Sequence, residues 1–391
     1  MPKTARRVPA RAAAEQPDAD RTGAFGPGGA GGPPARPPID SRPVSETTDT
    51  CGASPEAKPQ RRPRVFSGIQ PSGNMHLGNY LGAVRNWAAM QETHDCVYCA
   101  VDLHAITVRQ PRAELRRNTI DLVNLLLASG IDPERSIVFV QSHVAAHSEM
   151  MWLLNTITYM GELRRMTQFK DKTAGQEGES IGVALFDYPV LQAADILLYQ
   201  ADAVPIGEDQ KQHVELTRDI AIRFNNAFGK AFVVPEPIIR EGGARVMGLD
   251  DATKKMSKSS GSESSYIAVM DRPDVMRRKI RRAVTDSGTE VRGGPDKPAL
   301  TNLLDIYSAL TGEAVAAIEQ RYEGKGYADF KTDLGEVVVE ALAPIQERIR
   351  QLEADKSYTL GVLRNGAERA EAIAARTLAK ARERIGLVPR P

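Results

Sequence analysis

From Arg64 onward, short apolar runs of strand length alternate with amphipathic runs of helix length, and few folds accommodate that alternation. Val65–Ile69 reads as a strand, and 78–91 as a helix with Leu81, Val84, Trp87 and Ala88 on one face. Cys96–Val101 reads as a strand covered on both sides, Arg112–Ser129 as a helix stopped by Gly130, and Ser136–Gln141 as the next strand. Strands joined through helices lie parallel with right-handed crossovers, and ligands collect at their carboxyl ends. The expected fold is therefore α/β: a Rossmann-like parallel sheet over residues 64–260 with a helical insertion at about 147–228. The helix-like segments Pro273–Val284, Thr301–Leu310, Ala314–Tyr322, Tyr327–Leu352 and Ser357–Ile385 then predict an all-helical C-terminal domain over 261–388.

Residues 1–63 are of a different kind, dominated by Arg, Ala, Pro and Gly, with Gly-Pro-Gly-Gly-Ala-Gly-Gly-Pro-Pro at 26–34. No hydrophobic period is present to offset the entropy of ordering, so this extension is expected to be disordered. The arginines also fit a transit peptide, but Glu15, Asp18, Asp20 and the prolines weigh against an amphipathic targeting helix. A chain of 391 residues that is 41% hydrophobic can bury a sizeable core. Its net charge of +1 offers nucleic acid no global attraction, so such a partner must be met by local patches. Three cysteines, Cys51, Cys96 and Cys99, cannot frame a disulfide set and suit a reducing cytoplasm. No apolar run approaches the ~20 residues of a membrane span.

Two stretches carry chemistry. Pro71-Ser-Gly-Asn-Met-His-Leu-Gly-Asn79 joins a strand to a helix, with glycines where backbone must approach a ligand and His76 and Asn79 one turn apart as donors. Free N–H groups at the mouth of that helix favour phosphate. Lys255-Met-Ser-Lys-Ser259 sets two ammonium groups three residues apart in a Gly/Ser-rich loop, able to close on a triphosphate. Taken singly, an ordinary strand–turn–helix and a solvated basic face explain them. Together and in this order they suit an enzyme that grips ATP from both sides while a carboxylate attacks the α-phosphate.

The pair resembles the HIGH and KMSKS motifs of class I aminoacyl-tRNA synthetases, and the surroundings resemble the tryptophanyl branch of that family. Val65–Gly73, Asp102–Thr107, Gly161–Lys170, Ala193–Tyr199, Val204–His213 and Ala283–Asp286 carry the resemblance, which runs from Arg64 to Leu387. It implies that Gln70, Pro71, Ser72, Gly78 and Asn79 meet ATP, and that His76 stabilises phosphate charge without forming a covalent bond. Lys255, Met256, Ser257, Lys258 and Ser259 would also bind ATP, with both lysines on the phosphates. Val246 would pack near adenine, and Lys172 would neutralise the pyrophosphate end. Gly207, Glu208 and Asp209 would meet the ribose side of ATP, and Gln210 would point toward the amino acid. The implied reaction joins L-tryptophan to ATP as an adenylate and then transfers it to the terminal ribose of tRNA(Trp). ATP comes with Mg2+ held mainly by the phosphates, with no structural metal on the protein. A homodimer is implied too, with tRNA spanning subunits and its anticodon read by the C-terminal helices.

Amino-acid choice points to residues 188–195. Pro189 suits a first helical turn, which puts Tyr188 at its entry and Gln192 and Asp195 on one face. Asp195 lies within Ala193-Ala-Asp-Ile-Leu-Leu198, where a carboxylate must find a donor or be strongly penalised. The donor is either a protein group or the ligand's indole N–H, held between apolar walls that include Phe66. His104, ending a strand, is a pocket candidate of unstated role, grouped with the tryptophan-binding residues. Tryptophan enzymes commonly carry methionine where Gln192 stands, and a Gln-x-x-Asp pair also resembles tyrosyl-tRNA synthetases. The context Gly207-Glu-Asp-Gln210 is similar to the tryptophan branch. A synthetase-like paralogue that senses tryptophan without charging tRNA is the other alternative, opposed by the intact phosphate and lysine stretches. Cys96 and Cys99 fall on opposite faces of a strand and are expected to be buried as small hydrophobes, not to bind zinc. Arg277, Arg278, Lys279, Arg281 and Arg282 form a basic cluster that is either a solvated face or a contact for tRNA phosphates.

Overall fold

A computed structural model describes residues 61–389 apart from 74, 174–181, 240–245 and 258–261, and the side chains of 171–173 are likewise not described. The expected disordered extension therefore lies, as far as residue 60, outside the described residues. The first half comprises β1 (Arg64–Ile69), α1 (77–90), β2 (Asp95–Ala100), α2 (Asp102–Ala105), α3 (Arg112–Ala128) and β3 (Ile137–Val140). Next come α4 (Ala146–Asn155), α5 (Met160–Arg165), α6 (Thr167–Thr173), α7 (Val183–Leu198), β4 (Ala203–Ile206), α8 (Lys211–Phe228) and β5 (Glu236–Ile239). The helices α9 (Pro273–Arg282), α10 (Pro298–Thr311), α11 (Val315–Arg321), α12 (Tyr327–Ala354) and α13 (Lys356–Ile385) complete the chain. Among the described residues, no helix is long and apolar enough to cross a membrane.

All pairings are parallel, in the order β3-β2-β1-β4-β5. The Rossmann-like sheet expected from the alternation is present, and its order reverses between β1 and β4, the point at whose carboxyl ends such sheets take their ligands. Val97 and Cys99 of β2 face one apolar layer, while Cys96, Tyr98 and Ala100 face the other. The two thiols thus lie buried on opposite sides of the sheet, each pushed up in pKa by burial.

Two expectations need correction. The stretch 147–228 is not helical throughout, because β4 lies within it and pairs with β1. Its four residues include Pro205, which has no N–H to donate, and its register with β1 is confined to Val65↔Ala203. So short and proline-bearing a strand leaves little periodic signal. Nor does Pro189 open a helix: α7 begins at Val183, and Pro189 sits inside it, denying Leu185 the usual donor four residues on. Packing of α7 carries the helix through the proline, since nearly every residue from Tyr188 to Leu198 is buried.

The helices after the lysine stretch build a core of their own around Phe330, Leu334 and Val338, which also takes in Leu77, Val246 and Met256. The last helix returns to the sheet. Ala370, Ala374 and Ala381 of α13 pack in one core with Phe139 of β3, and Gly366 crosses directly over the Val138 backbone.

Candidate active site

The phosphate stretch leaves the carboxyl end of β1 through a tight turn, in which the Ser72 N–H reaches the Gln70 carbonyl (2.8 Å) and Gly73 takes φ 90°. Gln70 and Ser72 are exposed there, with Pro71 buried between them. The chain then pairs with residues nearly two hundred positions later: Leu77 N–H donates to Ile267 O (2.8 Å) and Val269 N–H to Met75 O (2.9 Å), around a bridge between His76 and Ala268. Asn79 closes the first helical turn, its Oδ1 accepting the His76 N–H at 3.2 Å.

His76 is 8% exposed, and its Nδ1 has no partner among the described residues. Burial, then the nearby positive charge of Lys255, lowers its pKa to about 4, so the ring is neutral at about pH 7. A side chain on Gly78 would place its Cβ 3.1 Å from His76 Nδ1 and 3.5 Å from Met256 Cβ. Glycine keeps that approach open.

Lys255 enters on a hairpin. Met247 bridges to Lys255, Met256 N–H reaches Val246 O (3.0 Å), and Gly248 N–H reaches Lys254 O (2.8 Å). Asn302 of α10 clamps Met247 from both sides, at 2.8 and 3.1 Å. Asp251 ties the turn through Thr253 and Lys254, and those bonds hold its carboxyl at about 2. Lys254 is thereby committed to the turn, whereas Lys255 is exposed and without a partner among the described residues. Val246 and Met256 are buried. Lys258 and Ser259 lie outside the described residues, as does the Lys172 side chain, and Ser257 is half-buried.

At the end of β4, the neighbour of β1, Gly207 leads into a turn at Glu208–Gln210. A Cβ on Gly207 would come within 2.8 Å of Asp209 Oδ1. Gln210 donates to Asp209 Oδ2 at 3.0 Å, and Gln168 of α6 donates to the Asp209 carbonyl at 3.3 Å. Gln168 also accepts from the Tyr188 hydroxyl at 3.3 Å, tying this turn to α7.

Asp195 is 1% exposed, and the structure answers the question of its donor with protein groups. His147 Nδ1 (2.6 Å) and Gln141 Nε2 (2.7 Å) meet Oδ1, while His104 Nε2 (2.9 Å) meets Oδ2. Burial alone would raise the carboxyl's pKa, but the hydrogen bonds from His104 and His147 help hold the group below its ordinary value. His104 also sets its ring edge-on to Tyr188, 6.2 Å between centroids, and the Tyr188 hydroxyl pairs with His213 at 2.9 Å, burial pushing its pKa up to about 12. Gln192 is half-buried on the same helix. Phe66 is 3% exposed and stacks on Tyr199 at 5.5 Å, behind the cluster. The structure thus brings His104, Tyr188 and Asp195 together and adds Gln141, His147, Tyr199 and His213, to which the sequence reading assigned no site role. Gln141 and His147 had one signal: polar residues at the carboxyl end of the apolar β3 run, where ligands collect.

A pH consequence follows for stability. Asp195 has a folded pKa below its unfolded value of about 3.9, so it adds stability above that value and loses it as pH falls through the folded one. The difference in unfolding free energy between wild type and Asp195→Asn is expected to shrink below about pH 4. Urea titrations at several pH values check this, and a constant difference would contradict it.

The basic cluster divides. Arg277 is held by Glu336 through two bonds of 2.7 Å, and Lys279 by Asp271 at 2.7 Å. Arg278, Arg281 and Arg282 are exposed, with no ion pair among the described residues.

Comparison with known proteins points one way. A family profile, tRNA synthetases class I (W and Y), matches residues 58–343. The chain is 52% identical over 326 residues to the tryptophan–tRNA ligase of Clostridium perfringens, covering 83% of this chain and 98% of that one. Against the tryptophan–tRNA ligase of Caldanaerobacter subterraneus subsp. tengcongensis it is 53% identical over 328 residues, 84% and 99% of the two chains. Among solved structures, tryptophanyl-tRNA synthetase from Mycoplasma pneumoniae superposes with a TM-score of 0.77 at 39% identity, covering 84% of this chain and 98% of that one. The Campylobacter jejuni enzyme, complexed with ADP and tryptophan, gives 0.72 at 36% identity, covering 83% and 100%.

Proposed function

The chain belongs to the class I tRNA synthetases (W and Y), and we propose that within that family it is a tryptophan–tRNA ligase. The observation that carries the ATP chemistry is the meeting of His76 and the Lys255 hairpin beyond the carboxyl end of β1. Two segments remote in sequence converge there on one polar, positively charged mouth.

The tryptophan carboxylate attacks the α-phosphorus of ATP. A new P–O bond forms, the bond to the bridging oxygen breaks, and pyrophosphate leaves with the electron pair. His76 and Lys255 stabilise charge on the phosphates, joined by Lys258 and Lys172 on the family resemblance, and no side-chain nucleophile is needed. Asn79 holds the turn that carries His76. The Gly207–Gln210 turn receives the ribose, with Asp209 as acceptor. Mg2+ held by the ATP phosphates would supply further positive charge beside His76 and Lys255. Asp195 accepts the indole N–H, beside His104 and Tyr188. In the cytoplasm the terminal ribose hydroxyl of tRNA(Trp) then attacks the adenylate's carbonyl carbon, forming the ester as the hydroxyl proton is lost and the anhydride bond breaks, with AMP leaving on the electron pair. Arg278, Arg281 and Arg282 are offered to tRNA phosphates, and the C-terminal helices to the anticodon. Trp152, Tyr159, Met160 and Val183, each more than half exposed, favour a homodimer that covers them.

The 50% or greater identity to tryptophan ligases supports the amino-acid choice, while Gln192 keeps tyrosine as the competitor to test. Pyrophosphate exchange with each amino acid is expected to be strong with tryptophan and weak with tyrosine. A larger tyrosine signal would overturn the assignment.

A further inference from the structure

Resting on the proposal that Asp195 receives the substrate's ring N–H, we propose that Tyr199 and His147 form an ordered hydrogen-bond relay that fixes the Asp195 carboxylate and so sets the affinity for that substrate. The direction of each bond follows from what the atoms can do. Asp195 as a carboxylate only accepts, so His147 Nδ1, at 2.6 Å, must carry the proton. In the neutral ring that the proposal assigns to His147, Nε2 is then the acceptor, and the Tyr199 hydroxyl at 2.9 Å is its donor. Gln141 is oriented in the same way: its Oε1 accepts the Leu103 N–H at 3.1 Å, which turns Nε2 toward Asp195 Oδ1 at 2.7 Å. Oδ1 thus receives two donors and Oδ2 one, from His104 at 2.9 Å. A carboxylate has about four acceptor positions. The position left over is on Oδ2, the oxygen next to His104, which packs on Tyr188.

The scaffold behind the relay is rigid. His147 and Tyr199 are both 0% exposed, and the Tyr199 ring is stacked on Phe66 at 5.5 Å and lies 5.5 Å from Phe139. The hydroxyl can be removed while the ring keeps its packing. Without it, His147 Nε2 loses its donor and the ring is held by its Nδ1 bond to Asp195 alone, so ring and carboxylate can rotate together away from the orientation that leaves Oδ2 open. Tyr199 and His147 act through Asp195 and touch no reacting atom, so they are positioning residues.

The test uses the full chain in tryptophan-dependent pyrophosphate exchange with Tyr199→Phe, His147→Asn, the double variant and Asp195→Asn. Tyr199→Phe is expected to raise the tryptophan KM about 5–10-fold, with kcat and the ATP KM within about twofold of wild type. His147→Asn can keep an N–H toward Asp195 but has no atom at the Nε2 position that meets Tyr199, so adding Tyr199→Phe to it should change KM by less than about twofold. Imidazole nitrogen NMR of the wild type should show His147 protonated at Nδ1 only. An unchanged KM in Tyr199→Phe, a full multiplicative effect in the double variant, or protonation at Nε2 would each overturn the relay. If Asp195→Asn itself leaves the tryptophan KM unchanged, it is the substrate contact that fails, which separates the two ideas.

Discussion

His76→Ala lowers kcat for tryptophan-dependent pyrophosphate exchange by roughly 10²–10³-fold and leaves the tryptophan KM nearly unchanged. The imidazole sits at the mouth of α1 with Nδ1 unpartnered among the described residues, and burial and Lys255 keep it neutral. A neutral ring fixed by strand pairing on one side and Asn79 on the other has little freedom to lose when phosphate charge develops. In the proposed role it acts at the transition state, so its removal is expected to show in kcat. With a pKa of about 4, its protonation state does not change across the neutral range, and the size of the defect should be flat with pH there. His76→Asn, which keeps an N–H, should recover part of the rate. A kcat for His76→Ala within about threefold of wild type would remove His76 from the catalytic account.

Gly366→Ala destabilises the protein by about 3 kcal/mol or more, lowering Tm by about 6 °C or more. An added Cβ would lie 1.8 Å from the Val138 carbonyl oxygen and 2.7 Å from its carbon, both backbone atoms of β3. No rotamer change relieves such a contact, so α13 must lift from the strand. That movement would stretch the Arg369 bonds to Pro133 O (2.7 Å) and Ser136 O (3.1 Å) and open the seam of Ala370 and Ala374 against the core. Gly361→Ala is the control on the same helix. Nothing lies within 4 Å of its added Cβ, so the better helix former should be neutral or slightly stabilising. Thermal unfolding of the two variants side by side checks this, and equal Tm values would show that α13 accommodates the methyl group.

The sequence by itself determined the properties that are periodic or punctuated along a short stretch. Alternating apolar runs announced the parallel sheet around β1, β2 and β3, and a glycine marked the tight turn after β1. The helices after residue 273 were equally legible, because each presents a repeating apolar face over two turns or more. The buried position of Asp195 was legible too, since a carboxylate inside an apolar run must be answered by a donor. Which donor answers it was not. Gln141, His147 and His104 come from three different segments, and only packing of α4 and β3 against α7 brings them within 2.6–2.9 Å. The same holds for β4, whose proline and brevity erase its period, and for the return of α13 to β3, which depends on a single glycine meeting a distant carbonyl. The convergence of His76 with Lys255 was likewise decided in tertiary structure, by backbone bonds from Leu77 and Val269 to partners on the other segment. Local pattern records how a segment buries its own faces. Which distant segment supplies the other half of a hydrogen bond is settled only when the whole core closes.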